Sequence, residues 1–353
     1  MKPVSVILIN FNGVEDLPEC LRSLFLQDHE HIELFLIDNG SVDGSTEALR
    51  EFASDPENRR RFSGDSPLLI LNQENTGFSP ALNQGIKAST GEVIIPLNPD
   101  VVLDKCFISA LVAPLAEPDV GSVTGKLLRF PPGGKDNVVD SVGHVIFRNR
   151  LAKDRGEGEP GATSFLEPET VFGTCGAAAA YSRRMLDDVR VNGEYFDEAF
   201  FAFWEDLDLD WRANLRGWRC IYTPEAVAYH KRGGTGYRKT LLVEYHNYKN
   251  RYLMIIKNDS VRYLIRNLPG IIVTEVLKGG ALLVRCPGAI LSLVEVVRLT
   301  PSMLRKRREI QSRRTVPARD IEEMLDPFSY RDWIKRHLLH RGDMIVSAKR
   351  ERL

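Results

Sequence analysis

"VSVILINFNG", residues 4–13, decides how the rest of the chain is read. Its first six positions are almost all apolar, Asn10 ends the run, and Asn12-Gly13 supplies a turn signal. A short run that is nearly continuous in apolar residues, with no alternation, suits a strand buried on both faces. Three further runs, 33–37, 68–71 and 93–97, have the same character, and helical stretches at 15–26, 45–53 and 79–88 lie between them. Strands alternating with helices predict an α/β fold, with a mainly parallel sheet covered by helices on both faces. In such sheets ligands bind beyond the carboxyl ends of the strands. The polar residues at those ends are therefore the first site candidates: Asn10, Asn12, Asp38, Asn39, Asn72, Asn75, Asn98 and Asp100.

The 353 residues suffice for one large domain or two smaller ones, and 43% hydrophobic with 27% charged residues is ordinary for a globular protein. A formal net charge of −1 argues against nucleic acid as a general partner. The five cysteines, Cys20, Cys106, Cys175, Cys220 and Cys286, show no C-x-x-C spacing, which suits reduced thiols in a cytosolic protein. Met1-Lys2-Pro3 leads directly into the first run, so a signal peptide is not expected. Beyond about residue 120 the texture changes. "RFPPGGKDN" (129–137) and "KDRGEGEPGAT" (153–163) read as exposed loops, and "TVFGTCGAAAAYSRRML" (170–186) as a small-residue strand followed by a helix.

Three constellations carry potential chemistry, each with a bland alternative. Asp38 directly follows an apolar run, where an acid can accept from a nucleobase or ribose; capping the next helix would explain it equally. Asn98-Pro99-Asp100 ends another run, and one carboxylate with an amide oxygen suits Mg²⁺ or Mn²⁺ on a diphosphate; a solvated turn is the alternative. "FAFWEDLDLDWR" (201–212) crowds Glu205, Asp206, Asp208 and Asp210 between two tryptophans. Trp204, Leu207, Trp211 and Leu215 recur at helical spacing as one buried stripe. That leaves Asp208 paired with Arg212, and Asp210 with Asn214, for surface duties. Glu205 at the helix start suits the macrodipole, whereas an acid ending an apolar wall, Asp206, suits a general base. His230, after "AVAY" and before "KRGGTG", could meet a diphosphate and its metal, or be a structural histidine before a loop.

Taken in order, "VSVILINFNG", "LFLIDNGSVDGS", "NTGFSPALNQGI", "VIIPLNPDV", "GAAAAYSRRML", "GEYFDEAFFAFWEDLDLDWRANLRGWRCIYTPEAVAYH" and "NRYLMIIKN" resemble family 2 glycosyltransferases of the GT-A fold, especially the rhamnosyltransferase-like branch. The resemblance covers roughly residues 3–258. It implies a Rossmann-like catalytic domain at 1–258 and leaves 259–353 as a helical, partly apolar and basic extension. It implies that Asn10, Asn12, Asp38 and Asn39 serve the nucleotide pocket and that Asn75, Gly77 and Asn83 lie along the nucleotide-sugar cleft. Asn98-Pro99-Asp100 stands at the family's Asp-x-Asp, with Asp100 as metal ligand for Mg²⁺ or Mn²⁺. Asp206 matches the catalytic base and His230 a metal- or diphosphate-contacting histidine, with Lys231 and Arg232 beside it. Asn98 departs from the pattern, where an acid is usual, which bears on metal dependence. The activity implied is inverting transfer of a sugar from a nucleoside diphosphate, rhamnose from dTDP-rhamnose by resemblance, to a glycan or polyprenyl-diphosphate-linked acceptor.

Other readings fit less well. A nucleotidyltransferase would carry a Gly-rich basic loop after the first strand, and a Rossmann dehydrogenase a G-x-G-x-x-G; neither is present. A non-catalytic glycan-binding or scaffold protein would not need Asp38, Asp100 and Asp206 together. The apolar tract 263–297 is interrupted by Arg266, Glu275, Lys278, Arg285 and Glu295, so a bilayer span is not expected. With the basic run 305–308, it suits a peripheral contact with the inner face of the plasma membrane, or helices packed on the catalytic domain or across a homodimer.

Overall fold

The computed structural model describes residues 2–64, 66–130, 137–232 and 240–331. The glycine-rich part of 129–137, the loop after Arg232 and the chain beyond 331 lie outside the described residues. The described residues form twelve strands: β1 (Val4–Asn10), β2 (Ile32–Asn39), β3 (Leu68–Asn72), β4 (Val93–Leu97), β5 (Val101–Leu103), β6 (Val120–Arg129), β7 (Val139–Ser141), β8 (His144–Ile146), β9 (Ala152–Asp154), β10 (Glu169–Val171), β11 (Ala179–Ser182) and β12 (Arg219–His230).

The main sheet runs β10-β12-β6-β11-β4-β1-β2-β3. β3, β2, β1 and β4 are parallel neighbours, β11 runs antiparallel between β4 and β6, and β6 and β12 are parallel again. The chain moves from β1 to β2 on one side and returns to β4 on the other. β1 and β4 therefore flank a switch point, the place where open α/β sheets hold ligands. Alternation along the strands sends Val4, Val6 and Leu8 into one apolar cluster, with Leu34, Leu36 and Ile95, and Ile7 and Ile9 into the opposite one, with Phe35, Ile37 and Ile94. Both faces are thus buried, as the apolar runs predicted, except at β3. Leu68 and Leu71 remain 38% and 40% exposed there because β3 is the edge strand.

The elements differ in extent from the sequence reading. The first helix is Leu17–Phe25, starting later than predicted because Gly13–Asp16 form a turn. β2 extends through Asp38 and Asn39, and a short helix Pro56–Arg61 was not anticipated.

From Leu241 the described chain is helical: Leu241–Asn258, Val261–Arg266, Leu268–Arg285, Ser292–Arg313 and Ala318–Glu323. Leu253, Met254, Val296, Met303, Ile310 and Ile321 share one apolar cluster with Phe200, Leu207, Trp211 and Leu215. The outward faces remain apolar, with Val276 68%, Val284 84%, Val294 70% and Val297 73% exposed. Among the described residues one helical stretch, Pro287–Arg313, is long and apolar enough by composition to cross a membrane, with 22% of its most apolar window buried.

Candidate active site

A cleft of about 710 Å³ opens at the carboxyl ends of β1 and β4 and runs to the start of helix Glu205–Leu215. Of the polar and glycine residues singled out from sequence, it is lined by Asn12, Asn39, Asn75, Gly77, Asn98, Asp100, Glu205, Asp206, His230 and Arg232. Asn10, Asp38, Asn83 and Lys231 stand behind or beside its wall. Asp38, 2% exposed, accepts hydrogen bonds from Asn10 Nδ2 at 3.1 Å and Thr46 Oγ1 at 2.7 Å, so its carboxylate fastens the loop after β2. Asn12 Oδ1 accepts from Val42 N at 2.9 Å, clasping the same loop from the other side. Asn39 donates to Asn75 Oδ1 at 3.0 Å and to the Gly77 carbonyl at 3.1 Å, joining β2 to the loop after β3. Asn83 is fully buried and pins the backbone of Phe196 from both sides, at 2.7 and 2.9 Å. Lys231 turns towards Asp16 and Glu19 on the first helix.

Gly77 has a left-handed φ of +95°, and a Cβ there would stand 2.6 Å from the Phe201 ring. The close approach brings the loop after β3 against the aromatic segment 201–204, and Ser79 N just beyond that loop donates to Phe201 O at 3.1 Å. Phe201, Phe203 and Trp204 themselves adopt φ of 66°, 71° and 71°. Bulky residues hold that conformation only under strong constraint. The constraint is Asn250, whose Nδ2 donates to the carbonyls of Phe200, Ala202 and Phe203 at 2.9, 2.8 and 2.7 Å. Trp204 Nε1 donates to Asn247, and Phe201 stacks on His246 at 4.9 Å. Helix Leu241–Asn258 therefore forces the aromatic run into the shape that delivers Asp206 to the cleft.

The four acids of that helix part company. Asp206 and Glu205 both border the cleft, and Asp206 Oδ1 accepts from Leu207 N at 2.8 Å and its Oδ2 from Gly176 N at 2.9 Å. A Cβ at Gly176 would stand 2.9 Å from Asp206 Oδ2, so any side chain there would push the carboxylate from its place. Glu205 is buried, and desolvation together with the charge of Asp206 raises its pKa well above the usual carboxylate range. The surface duties expected of the other two are corrected. Asp208 is fully buried and binds Lys257 and Asn258 as well as Arg212. Asp210 turns to Thr174, at 2.7 Å from its amide, and not to Asn214; burial pushes it up to about 7.

Asp100 and His230 line the same cleft, with His230 Nε2 3.4 Å from Asp100 Oδ2. β12 pairs antiparallel with β5, which places His230 across from Val101 and so beside Asp100. Burial opposes charge on His230, but its hydrogen bonds to the Asp100 and Asp140 carboxylates outweigh it and lift the imidazole to about 9. Once a cation displaces the Nε2 proton of His230, a hard carboxylate oxygen and an imidazole nitrogen are donors that fit Mg²⁺ or Mn²⁺.

Three contributors escaped the sequence reading: Asp140, His144 and Asp154. Asp140 is fully buried and receives His230 Nδ1 at 2.8 Å and Arg232 Nε at 2.5 Å. His144 and Asp154 face each other across β8 and β9. The donor atoms of His144, Asp154 and Cys175 come within 4.8 Å of one another, and Arg232 neutralises Asp154 there at 2.9 Å. The one signal available was "DSVGH" (140–144), an acid and a histidine next to a glycine-rich loop.

Known proteins point the same way. Residues 5–190 match the family model described as Glycosyl transferase family 2. The glycosyltransferase GlyG of Streptococcus pneumoniae is 29% identical over 161 residues, 43% of this chain and 50% of that protein, so the match spans half the relative's length. An N-acetylglucosaminyl-diphospho-decaprenol L-rhamnosyltransferase of Mycobacterium tuberculosis is 27% identical over 280 residues, 72% of this chain and 84% of that one. Among solved structures, GalNAc-T7 with UDP, GalNAc and Mn²⁺ superposes with a TM-score of 0.56 at 18% identity, covering 74% of this chain and 49% of its own. TarS 1–349 of S. aureus in complex with UDP gives 0.52 at 16% identity, covering 91% and 90%. At these identities the two structures bear on the fold alone, a curled α/β sheet of the GT-A kind. The family match covers more than half of the chain, and the chain belongs to glycosyltransferase family 2, the nucleotide-sugar-dependent transferases.

Proposed function

We propose that this chain transfers a sugar from a nucleoside diphosphate to an acceptor hydroxyl with inversion of the anomeric centre. The observation that carries the reading is Asp206, held by two backbone amides in the same cleft that Asp100 and His230 line. In the single displacement, the acceptor oxygen bonds to the anomeric carbon and its proton passes to the Asp206 carboxylate. The bond from that carbon to the diphosphate oxygen breaks, and its electron pair leaves with the nucleoside diphosphate. Asp100 and His230 would hold a divalent cation, which when bound offsets charge developing on the leaving group. Arg232 adds a fixed positive charge at that end. Asn12, Asn39, Asn75 and Gly77 would wall the nucleotide and sugar.

The finer reading is rhamnose from dTDP-rhamnose, transferred to a polyprenyl-diphosphate-linked acceptor. Its support is the 27% identity to the mycobacterial rhamnosyltransferase over 72% of the chain. The exposed apolar faces of the C-terminal helices support a membrane surface as the place where such an acceptor is met. Pelleting with vesicles rich in anionic lipid, lost in a Val284→Asp, Val294→Asp, Val297→Asp variant, is the expected result. Equal recovery of wild type and variant in the supernatant ends the surface reading.

Donor binding is tested by thermal shift with dTDP, UDP, GDP and ADP, each with Mn²⁺, Mg²⁺ or chelator. A ligand at 100 times its Kd adds about 2.7 kcal/mol, a rise of about 3–5 °C for a chain of this size. One pyrimidine diphosphate should stabilise, and chelator should remove most of the rise. Stabilisation that survives chelator would remove the metal from Asp100 and His230.

A further inference from the structure

His144 has no part in the displacement just described, yet it stands against the group that does. Its Nδ1 lies 3.8 Å from Asp206 Oδ2, is buried, and makes no hydrogen bond among the described residues. Its Nε2 lies 3.6 Å from Asp154 Oδ1. Both separations exceed hydrogen-bond length, and a movement of about 1 Å would close either one. Such gaps are usual at catalytic groups before substrate is bound.

The placement is built into the fold. Register between β8 and β9 sets His144 directly opposite Asp154. The His144 amide donates to the Gly173 carbonyl at 2.9 Å, which fixes the strand on the segment that also supplies Gly176. Gly143, at φ +104°, admits this approach because a Cβ there would stand 2.5 Å from the Gly173 oxygen. Gly176 N in turn holds Asp206 Oδ2, the oxygen that His144 faces.

Beyond the 3.6 Å gap to Asp154, further close pairs follow. Asp154 Oδ2 receives Arg232 Nη2 at 2.9 Å, Arg232 Nε reaches Asp140 Oδ1 at 2.5 Å, and Asp140 Oδ2 meets His230 Nδ1 at 2.8 Å. His230 Nε2 then faces Asp100 at 3.4 Å. Carboxylates alternate with cationic or imidazole groups at every step. Arg232 and Asp140 are part of this line because each contributes two contacts in different directions.

We propose that His144 is a positioning residue for Asp206, the last link of a line of alternating carboxylate and basic side chains that ties the acceptor-activating carboxylate to the diphosphate end of the cleft. This rests on the reading of Asp206 as the base. An imidazole with one nitrogen towards each carboxylate limits the directions in which Asp206 can turn about its two amide hydrogen bonds. Misplacing a reacting group by about 1 Å costs on the order of 10²-fold in rate. Losing His144 should therefore act on turnover and leave donor binding alone.

The test is steady-state kinetics of His144→Ala with the donor that wild type uses, together with nucleoside diphosphate binding by calorimetry. The expected result is a kcat lower by roughly 10- to 100-fold, nucleotide Kd and melting temperature unchanged, and partial recovery of kcat on adding free imidazole. Asp154→Asn, which keeps the shape and removes the charge behind His144, should lower kcat in the same direction. If His144→Ala does not fold, Asp154→Asn carries the test. An unchanged kcat in the readable variant overturns the proposal, as does a fall in kcat matched by an equal loss of nucleotide binding. Asp206→Asn run alongside separates the two claims. If it keeps full turnover, the base assignment fails. If it is inactive while His144→Ala is normal, only the role of His144 fails.

Discussion

Asp206→Asn should lower kcat by about 10²-fold or more while nucleotide binding stays within about twofold of wild type. The loss corresponds to about 2.7 kcal/mol of transition-state stabilisation. The amide cannot take a proton from the acceptor hydroxyl, so the attacking oxygen keeps its proton as the new bond forms. The substitution is mild in other respects. Asn fills the same space, and one of its two terminal atoms still accepts from Leu207 N or Gly176 N. The other amide loses its acceptor, a cost of about 1 kcal/mol, visible as a melting temperature lower by a degree or two. Near-normal kcat would remove Asp206 from the chemistry. A collapse of nucleotide binding along with kcat would show that the residue shapes the cleft instead.

The second large effect is on stability. Asp197 is 3% exposed and receives Lys257 Nζ at 2.5 Å and Lys306 Nζ at 2.7 Å. Burial alone would raise its pKa, but the two ammonium groups outweigh it and hold the carboxylate well below its ordinary value of 3.8. Asp197→Ala leaves two buried cations sharing only Asp208 and the more exposed Glu194. Breaking a buried ion network in this way costs roughly 3–5 kcal/mol, a fall in melting temperature of about 5 °C or more. The pH dependence has a definite sign. A folded pKa below the unfolded one contributes stability above pH 3.8, and that contribution is lost as the pH falls from there towards the folded value. Wild type should therefore lose stability on acidification below about pH 4 more steeply than Asp197→Ala. Parallel acid limbs, or a variant as stable as wild type at pH 7, would contradict this account of how helix Ser292–Arg313 is fastened to the cleft-bearing part of the chain.

The parts of the fold that were legible in the sequence are those decided locally. The near-continuous apolar runs announced β1, β2 and β4, and the residue at which each run stops is where the cleft begins, so Asn12, Asn39, Asn98 and Asp100 line it. The stripe Leu207, Trp211 and Leu215 is buried as its spacing required. What escaped was set by partners distant in sequence. Asp208 and Asp210 lie four residues from Arg212 and Asn214, which suggested a solvated helix face. In the structure Asp208 is claimed by Lys257, 49 residues on, and Asp210 by Thr174, 36 residues back. Asp140 gains its meaning only from His230 and Arg232, some 90 residues later, when β6 and β12 pair. Spacing along one helix cannot report such partners, because the strands and helices that bring them together are joined by long connections. The antiparallel insertion of β11 between β4 and β6 was illegible for the same reason.

The central claim is that a nucleotide-sugar donor is cleaved here by one displacement assisted by Asp206. The direct measurement is nucleoside diphosphate release from a donor panel that includes dTDP-rhamnose, with an acceptor glycan or polyprenyl-diphosphate sugar, followed by NMR of the anomeric linkage formed. Acceptor-dependent release from one donor, with the linkage inverted relative to that donor and both signals lost in Asp206→Asn, is the predicted result. A linkage of retained configuration, or nucleotide binding with no transfer from any donor to any acceptor, would contradict it.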